Sequence, residues 1–450
     1  MATSTTTIRT TTTMFAVSCV CSFSAFGKNI FCKRKFNFFI KMFYRFKVEY
    51  VSYEELYAAY LDCRKRKRNT VNASEFEIDL NKNLYKLWRE LNSGTYEIGV
   101  SIVFLVDRPV VREVYAACFR DRIVHHLIIN RINDTIEKHF IFDTYSCRVG
   151  KGTLVGVKRC YEQIKKCSKN YTENAYVLKC DLKSFFMTIS KPMLYKLLIT
   201  FLRENYECSE DERYFNEYIL KKIIYHCPQQ NCIRKPSRAK PSDLPKGKSL
   251  TDCPSDKGLP IGNLSSQIFA NFFMSYFDHY VKGVLGFEFY GRYVDDFYII
   301  SQSKEKLLDA IPLIREKLSE RGIILHPKKL YIQHYSKGVK FIGAVVKPGR
   351  LYIANRTKGN FYESIVNLEK QYLDKSYITL TDIEHCCSVI NSYLGFLKHY
   401  KSYKIKRKML TLPSFLKWYR FISLYNDASK VGLRNCFKNK KRACWPSFSY

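Results

Sequence analysis

Residues 289–300 read FYGRYVDDFYII, which places two adjacent carboxylates, Asp295 and Asp296, inside a run of apolar and aromatic side chains. An ordinary solvated turn is one explanation, because Asp is common in turns. The flanking residues favour a buried β-hairpin instead, in which an unpaired ionised carboxylate is costly and two neighbouring carboxylates repel each other. A divalent cation would remove both costs, so the stretch predicts a metal-binding hairpin.

A further acid lies in a second short apolar stretch. Residues 176–186 read YVLKCDLKSFF, which predicts a strand that carries Asp181 and is followed by a helix. If Asp181 lies opposite Asp295, the carboxylates could hold two Mg²⁺ ions about 3.5–4 Å apart, with Mn²⁺ as a possible substitute. Such paired ions activate an attacking oxygen and stabilise a leaving one.

The order of the elements indicates the fold class. A strand with an acid, a helix, a hairpin with acids and another helix predict an α+β fold, in which an antiparallel sheet carries helices on one face. Apolar positions three and four residues apart predict one long helix over residues 111–138 and another over 303–321. Short strands are expected at 322–325 and between 338 and 353, and the last hundred residues are expected to be helical.

The composition limits the possible partners. The chain has 450 residues, of which 75 are Lys or Arg and 41 are Asp or Glu, giving a formal net charge of +34. A charge this large calls for a polyanionic partner, and nucleic acid is the first candidate. The alternative is a soluble basic protein without such a partner. At 46% hydrophobic residues, the chain can bury a large core in two or three subdomains.

The 17 cysteines are scattered and do not form a disulfide framework, which fits a reducing cytoplasm. Their tightest group could supply zinc ligands, but it lacks a paired C-x-x-C knuckle, so zinc is a weak alternative. That group consists of His226, Cys227, Cys232 and Cys253. No apolar stretch reaches the length that spans a bilayer, so no membrane partner is expected.

The first 48 residues are rich in Thr and Ser near their start, and the first acid of the chain is Glu49. This N-terminal extension is either a signal or transit segment or the product of a misassigned start. We favour the second explanation, with Met42 as the true start, because the residues after it already have the character of a globular domain.

Tyr293-Val294-Asp295-Asp296 resembles the Y-x-D-D box of reverse transcriptases, and the likeness extends over residues 78–345. The other motifs occur in the family's order: Asp181 at a strand end, GLPIGNLSSQ at 258–267, HPKK at 326–329 and VKFIG at 339–343. The resemblance implies a right-hand RNA-directed DNA polymerase. Its parts would be an N-terminal extension at 1–48, fingers at 49–175, a palm at 176–350 with a loop insertion at 227–257, and a helical, basic thumb at 351–450.

The resemblance also implies the metal ligands. Asp181 and Asp295 would hold both ions, Asp296 would be a supporting carboxylate, and Leu182 would contribute its backbone carbonyl. The substrates and partners would be deoxynucleoside triphosphates, a template RNA, and the cDNA or RNA–DNA hybrid made from it.

Further roles follow residue by residue from the resemblance. Phe186 would stack under the incoming sugar and exclude a 2′-hydroxyl, although a core Phe is the plain alternative. Arg148 and Lys151 would contact the triphosphate, and Lys329 would neutralise the leaving pyrophosphate, with Lys328 an equal rival. The remaining predicted contacts are Ile261, Gly262 and Gln267 for the nucleotide, and Tyr293, Lys406, Arg407 and Lys408 for the primer–template.

GLPIGNLSSQ has Ile261 where the common pattern has Gln, and Gln267 where it has Pro. This variant resembles the reverse transcriptases of diversity-generating retroelements, as do REVYAACFRDRIVHH at 112–126, TYSCRVGKGT at 144–153 and KSL at 248–250. That subfamily implies a bacterial or phage-encoded, cytoplasmic enzyme. It would copy template RNA with errors at adenines for mutagenic retrohoming, usually assisted by a small basic accessory protein.

Alternatives remain within the family and outside it. A group II intron-like protein would have P-Q-G in the box and an endonuclease signature, and neither occurs here. A retron or phage-defence reverse transcriptase would differ in partner rather than in chemistry. A basic RNA-binding scaffold with an inactive polymerase core is the alternative from another class.

Overall fold

The computed structural model describes residues 49–65, 70–107, 110–237, 239–373 and 377–435, together with the backbone of 444–446. The N-terminal extension at 1–48 lies outside these residues. Both explanations of that extension therefore stay predictions. Among the described residues, no helix combines the length and the apolar character needed to cross a bilayer.

The first described region is helical and encloses a small antiparallel sheet. Its elements are α1 (Tyr53–Arg64), α2 (Val71–Ile78), α3 (Leu80–Ser93), β1 (Ser101–Val106), β2 (Arg112–Ala116) and α4 (Phe119–His139). Helix α4 buries apolar side chains at spacings of three and four residues, including Ile128 and Ile132, as its sequence pattern predicts.

The prediction of one helix over 111–138 is wrong at its start. Residues 112–116 pair with β1 in antiparallel register, and the helix begins only at Phe119. The reason is tertiary: the Tyr115 amide donates to the Ile261 carbonyl at 2.8 Å, and the Ala117 amide donates to Asn263 Oδ1 at 3.0 Å. Partners almost 150 residues away hold this segment extended, and a local pattern does not reveal them.

The four-stranded antiparallel sheet, which we call the palm sheet, has the order β5-β6-β3-β7. Its strands are β3 (Tyr176–Asp181), β5 (Phe289–Tyr293), β6 (Asp296–Ser301) and β7 (Tyr331–His334). In the pairing of β3 with β6, Asp181 lies opposite Asp296. The register thus brings together two acids that are far apart in sequence.

Side chains of the palm sheet alternate between two cores. Leu178, Cys180, Phe297 and Ile299 belong to the larger core, which is filled by helices. Those helices are α6 (Phe185–Thr188), α7 (Lys191–Asn205), α8 (Glu210–Tyr225), α9 (Leu264–His279) and α10 (Lys304–Ser319). Helix α5 (Thr153–Cys167) contributes to the second core on the other face, with Val177, Tyr298 and Ile300. The predicted α+β fold with an antiparallel palm sheet is confirmed, but helices pack on both faces of the sheet rather than on one.

The loop insertion at 227–257 consists mainly of short turns, but it also forms one strand, β4 (Cys232–Arg234). This strand pairs in parallel with β1, so the insertion extends the small sheet of the first region. Buried Glu113 in β2 holds it there, accepting from Ser249 Oγ at 2.8 Å and from the Leu250 amide at 3.2 Å.

The C-terminal region contains helices and several strands. A three-stranded sheet, β8 (Val339–Phe341), β9 (Ala344–Lys347) and β10 (Arg350–Ile353), precedes α11 (Asn355–Leu368), α12 (Leu380–Leu397), α13 (Tyr403–Leu410) and α14 (Pro413–Leu416). The remaining strands are β11 (Tyr377–Thr379), β12 (Ile422–Tyr425), β13 (Lys430–Leu433) and β14 (Cys444–Pro446).

Two strand predictions for this half of the chain need correction. The last hundred residues are not purely helical, because β11 pairs with β14 and β12 pairs with β13. The expected strand at 322–325 contributes only an isolated bridge between Leu325 and Leu182, whereas β7, which was not expected, pairs with β3. The pairing partner decides which of these short segments becomes a strand.

Candidate active site

The hairpin between β5 and β6 forms the centre of the site. Val294 lies in its turn with φ of 57°, a left-handed conformation that is rare for a β-branched residue. The Leu182 amide donates to the Asp295 carbonyl at 3.0 Å, which ties the turn to the end of β3. Asp181, Asp295 and Asp296 are thus brought together at one end of the palm sheet, as predicted.

Asp181 has a lysine partner. Lys329 Nζ lies 3.0 and 3.1 Å from its two carboxylate oxygens, and the His326 amide donates to the Asp181 backbone carbonyl at 2.8 Å. The HPKK segment is therefore fixed beside Asp181. Of the two rival lysines, Lys329 is the one whose ammonium group contacts this carboxylate.

Asp295 lies in a less polar environment. Burial raises the pKa of its carboxyl, and the neighbouring Asp181 carboxylate raises it further, while Lys329 and Arg112 oppose the shift. Arg112, in β2, therefore acts on the site electrostatically. Sequence alone assigns Arg112 no role, because no local feature of β2 shows that this side chain acts on the hairpin.

Asp296 forms an ion pair with Lys179 of β3. The Lys179 side chain is only 8% exposed, and burial lowers its pKa to about 8, against the opposing charges of nearby groups that include Asp181 and Asp295. Lys179 could not be recognised from sequence, because a single lysine in an apolar strand is usually a solvent-exposed side chain at the edge of a sheet. Only the register of β3 with β6 shows that it faces an acid.

Two of the residues predicted to form the nucleotide pocket share one small apolar cluster. Phe186 and Ile261 pack against a core that includes Tyr115 and Met187, and the Leu259 amide donates to the Phe186 carbonyl at 2.9 Å. Both side chains remain partly exposed, as a nucleotide contact requires.

Gly262, the third residue of that group, has φ of 125°. A Cβ at this position would lie 2.7 Å from Val114 Cγ1 and 3.0 Å from the Tyr115 carbonyl oxygen. Glycine is therefore required for the close approach between β2 and the turn that precedes α9.

The basic residues of the SCRVGKG turn bind their own segment. The Arg148 guanidinium donates to Glu137 at 2.8 Å and to the Ile141 carbonyl at 2.7 Å, and its side chain is 9% exposed. Lys151 donates to the Phe142 carbonyl at 3.1 Å, and burial lowers the pKa of its ammonium group. In this arrangement neither cation is free for a triphosphate, so this predicted contact would require both side chains to move.

The other predicted residues have varied positions. Gln267 Oε1 accepts from Cys147 Sγ at 3.0 Å, and Tyr293 is half-buried against the second core. Leu182 is buried and held by its amide, as described above. The basic run Lys406, Arg407 and Lys408 lies on α13, where the last two side chains are exposed.

The metal question has two parts. Within the described ranges, no three His, Cys, Asp or Glu side chains are grouped so as to hold a metal ion. The cysteine cluster therefore gives no support for a zinc site. The aspartates likewise do not form a complete metal site in advance. The donor chemistry nevertheless fits Mg²⁺. Asp181 and Asp295 offer hard oxygens, and burial together with the Asp181 carboxylate raises the pKa of Asp295. At Asp181 the Lys329 ammonium group already supplies a positive charge where a metal ion would bind.

Comparison with known proteins agrees with this geometry. Residues 111–346, slightly more than half of the chain, match the family described as "Reverse transcriptase (RNA-dependent DNA polymerase)". No curated protein sequence matches.

The similar solved structures include telomerases from two yeasts. The Candida albicans telomerase in complex with a TWJ fragment of telomeric RNA is 15% identical, covers 75% of this chain and has a TM-score of 0.37. Apo telomerase from Candida tropicalis is 14% identical, covers 72% of this chain and has a TM-score of 0.41. This chain spans 65% and 64%, respectively, of those two proteins.

Proposed function

This chain belongs to the reverse transcriptase family, and we propose from that membership that it copies an RNA template into DNA by adding deoxynucleotides at the Asp181–Asp295 site. The observation that carries the proposal is the register of the palm sheet, which sets Asp181 beside the Asp295–Asp296 turn. The alternative of an ordinary solvated turn does not fit a hairpin in which Phe297 and Tyr298, directly after the aspartates, are fully buried.

Asp181 and Asp295 would hold two Mg²⁺ ions, for which Mn²⁺ could substitute, with Asp296 in support and the Leu182 carbonyl as a further oxygen ligand. When bound, the metal would promote ionisation of the primer 3′-hydroxyl and neutralise charge on the phosphates.

The protein supplies the remaining interactions. Lys329, already beside Asp181, would move to the leaving pyrophosphate and neutralise or protonate it. Arg112, whose charge acts on Asp295, would attract the triphosphate from the β2 side. Phe186 would exclude the 2′-hydroxyl, while Tyr293 and the basic run on α13 would contact the primer–template.

The test is primer extension on an RNA template with purified wild-type protein and two matched variants. Asp295→Asn should abolish extension without weakening RNA binding, because it removes a metal ligand and leaves the basic surface intact. Asp309→Asn, at an exposed position on α10, is the control and should extend normally. RNA binding with no magnesium-dependent product from wild-type protein would instead favour the scaffold alternative.

We further propose that the enzyme is of the diversity-generating type, supported by the I-G-N-L-S-S-Q variant at 261–267. It would then be error-prone at template adenines and act in mutagenic retrohoming, in a bacterial or phage-infected cytoplasm and with a small basic accessory protein. Ile261 packs against the same small apolar cluster as Phe186, and unlike Gln its side chain offers the incoming nucleotide no hydrogen bond.

Ile261→Gln tests this finer proposal. Misincorporation opposite template adenine should fall in the variant, while incorporation opposite the other bases changes little. If adenine errors persist unchanged, Ile261 is not their cause. If the wild-type protein itself copied adenines faithfully, a retron or group II intron-like role would be favoured instead.

A further inference from the structure

Arg292 comes directly before the Y-x-D-D tyrosine, and its side chain is completely buried. Its Nε and Nη2 donate to the two oxygens of Asp278 at 2.7 and 2.6 Å, and the Asp278 side chain is itself only 1% exposed. Tyr290 donates to the same carboxylate at 2.6 Å. The charge pair is therefore well satisfied on the α9 side.

The guanidinium also contacts the turn between β5 and β6, which contains Val294 and Asp295 and which we call the catalytic turn. Arg292 Nη1 donates to the Val294 carbonyl at 3.0 Å. Val294 is the residue with left-handed φ, a conformation that a β-branched side chain disfavours and that persists only when its surroundings hold it. The Val294 carbonyl belongs to the peptide that enters Asp295, so this bond bears directly on the orientation of that aspartate.

The same residue also contacts the segment that carries the SCRVGKG turn. The Arg292 amide donates to the Asp143 carbonyl at 2.9 Å, and the Arg292 carbonyl accepts from the Tyr145 amide at 3.0 Å. Asn271, which accepts from Arg292 Nη1 at 3.3 Å, donates to the Ser146 carbonyl at 2.7 Å. Arg292 thus connects the catalytic turn with helix α9 through its guanidinium, and it contacts residues 143–146 through its backbone and through Asn271.

We propose that Arg292 is a positioning residue that holds the Val294 peptide in its left-handed conformation and thereby orients Asp295 for catalysis. A purely structural ion pair is the alternative. Buried ion pairs can often be replaced by apolar side chains of similar volume without loss of stability. An apolar replacement should therefore keep the fold but remove the hydrogen bond to the Val294 carbonyl. Stability and kcat measured on such a variant then distinguish the positioning role from a purely structural one.

The experiment replaces the buried ion pair and its hydrogen-bonded tyrosine together. The triple variant Arg292→Met/Asp278→Leu/Tyr290→Phe removes the cation, its counter-ion and the hydroxyl that would otherwise lose its acceptor. We expect a melting temperature close to that of wild-type protein, unchanged RNA affinity and a similar KM for deoxynucleotides. The kcat of extension should fall by about a hundredfold, as expected for a misplaced reacting group. Wild-type kcat in the folded triple variant would overturn the proposal.

Two further variants keep the proposal testable if the triple variant does not fold. Arg292→Lys keeps the charge for Asp278 but lacks the forked donors to reach Val294 at the same time, so it should fold and lose kcat. Val294→Gly should restore part of that kcat in the Arg292→Lys background, because Gly adopts positive φ without strain. Normal kcat in Arg292→Lys, or a loss that Val294→Gly leaves unrelieved, would contradict the proposed role.

The proposal rests on Asp295 being a metal ligand, and the two can fail separately. If wild-type protein and Asp309→Asn give no extension, the proposed function fails. If wild-type protein extends, Asp295→Asn does not and the Arg292 variants behave as wild type, only the positioning role fails.

Discussion

Acidification should lower the free energy of unfolding through His125, a buried residue between α4 and α9. This side chain is 6% exposed and its Nδ1 lies 2.9 Å from Ser265 Oγ, in the first turn of α9. Burial, together with the smaller effects of the nearby His226, His126 and Arg122, lowers the pKa of His125 to about 3. The folded protein therefore keeps this ring neutral at any pH in ordinary use.

The sign follows from proton binding. In the unfolded chain His125 protonates near pH 6.5, whereas in the folded chain it stays neutral down to about pH 3. Below pH 6.5 the unfolded state binds more protons, so the free energy of unfolding falls as the pH falls. At 1.36 kcal/mol per pH unit, the loss between pH 7.5 and pH 5 is about 2 kcal/mol.

Urea unfolding at pH 7.5 and pH 5 measures this loss in wild-type protein and in His125→Gln, which keeps a hydrogen-bonding group for Ser265 but cannot titrate. The carboxylates that also titrate in this range are common to both proteins. We expect the wild-type protein to lose about 2 kcal/mol more than the variant on acidification. Equal losses in the two proteins would refute the reasoning, because His125 would then contribute nothing to the pH dependence.

Three other substitutions have defined outcomes. Gly262→Ala should lower the urea midpoint and raise the KM for deoxynucleotides, since its methyl group would meet Val114 at 2.7 Å and φ of 125° strains any side chain. Lys329→Ala should lower kcat in steady-state extension more than Lys328→Ala does, because only Lys329 contacts Asp181; equal losses would count against that role. Glu113→Gln should speed limited proteolysis within 227–257, since a neutral amide holds Ser249 and Leu250 more weakly; unchanged cleavage would mean that other contacts anchor the insertion.

The carboxylates could be located from sequence because each lies in a locally readable element. Asp181 ends a short apolar strand, and Asp295 lies in the turn between two strands that are rich in apolar and aromatic residues. The fold class follows from the order of those elements. The match of residues 111–346 to the reverse transcriptase family agrees with the predicted fold class.

The partners of the charged groups could not be located in this way. Lys179 meets Asp296 only through the register of β3 with β6, and Arg292 meets Asp278 only after α9 packs under the hairpin. The same limit applies to β2, which became a strand through bonds to residues 261 and 263. Local periodicity reports which side chains are apolar, but not which distant group satisfies a polar one.

Lys329 and Lys179 differ in exposure, and this difference suggests why Asp181 and Asp296 would have different roles. Lys329, the partner of Asp181, is 51% exposed and can leave for another anion at little cost. Lys179, the partner of Asp296, is 8% exposed, and moving Asp296 away would leave this buried ammonium group without its counter-ion. Asp181 could therefore exchange its lysine for a metal ion, whereas Asp296 would keep its protein partner. This difference in exposure supports assigning Asp181 and Asp295 as the direct ligands and Asp296 as the supporting carboxylate.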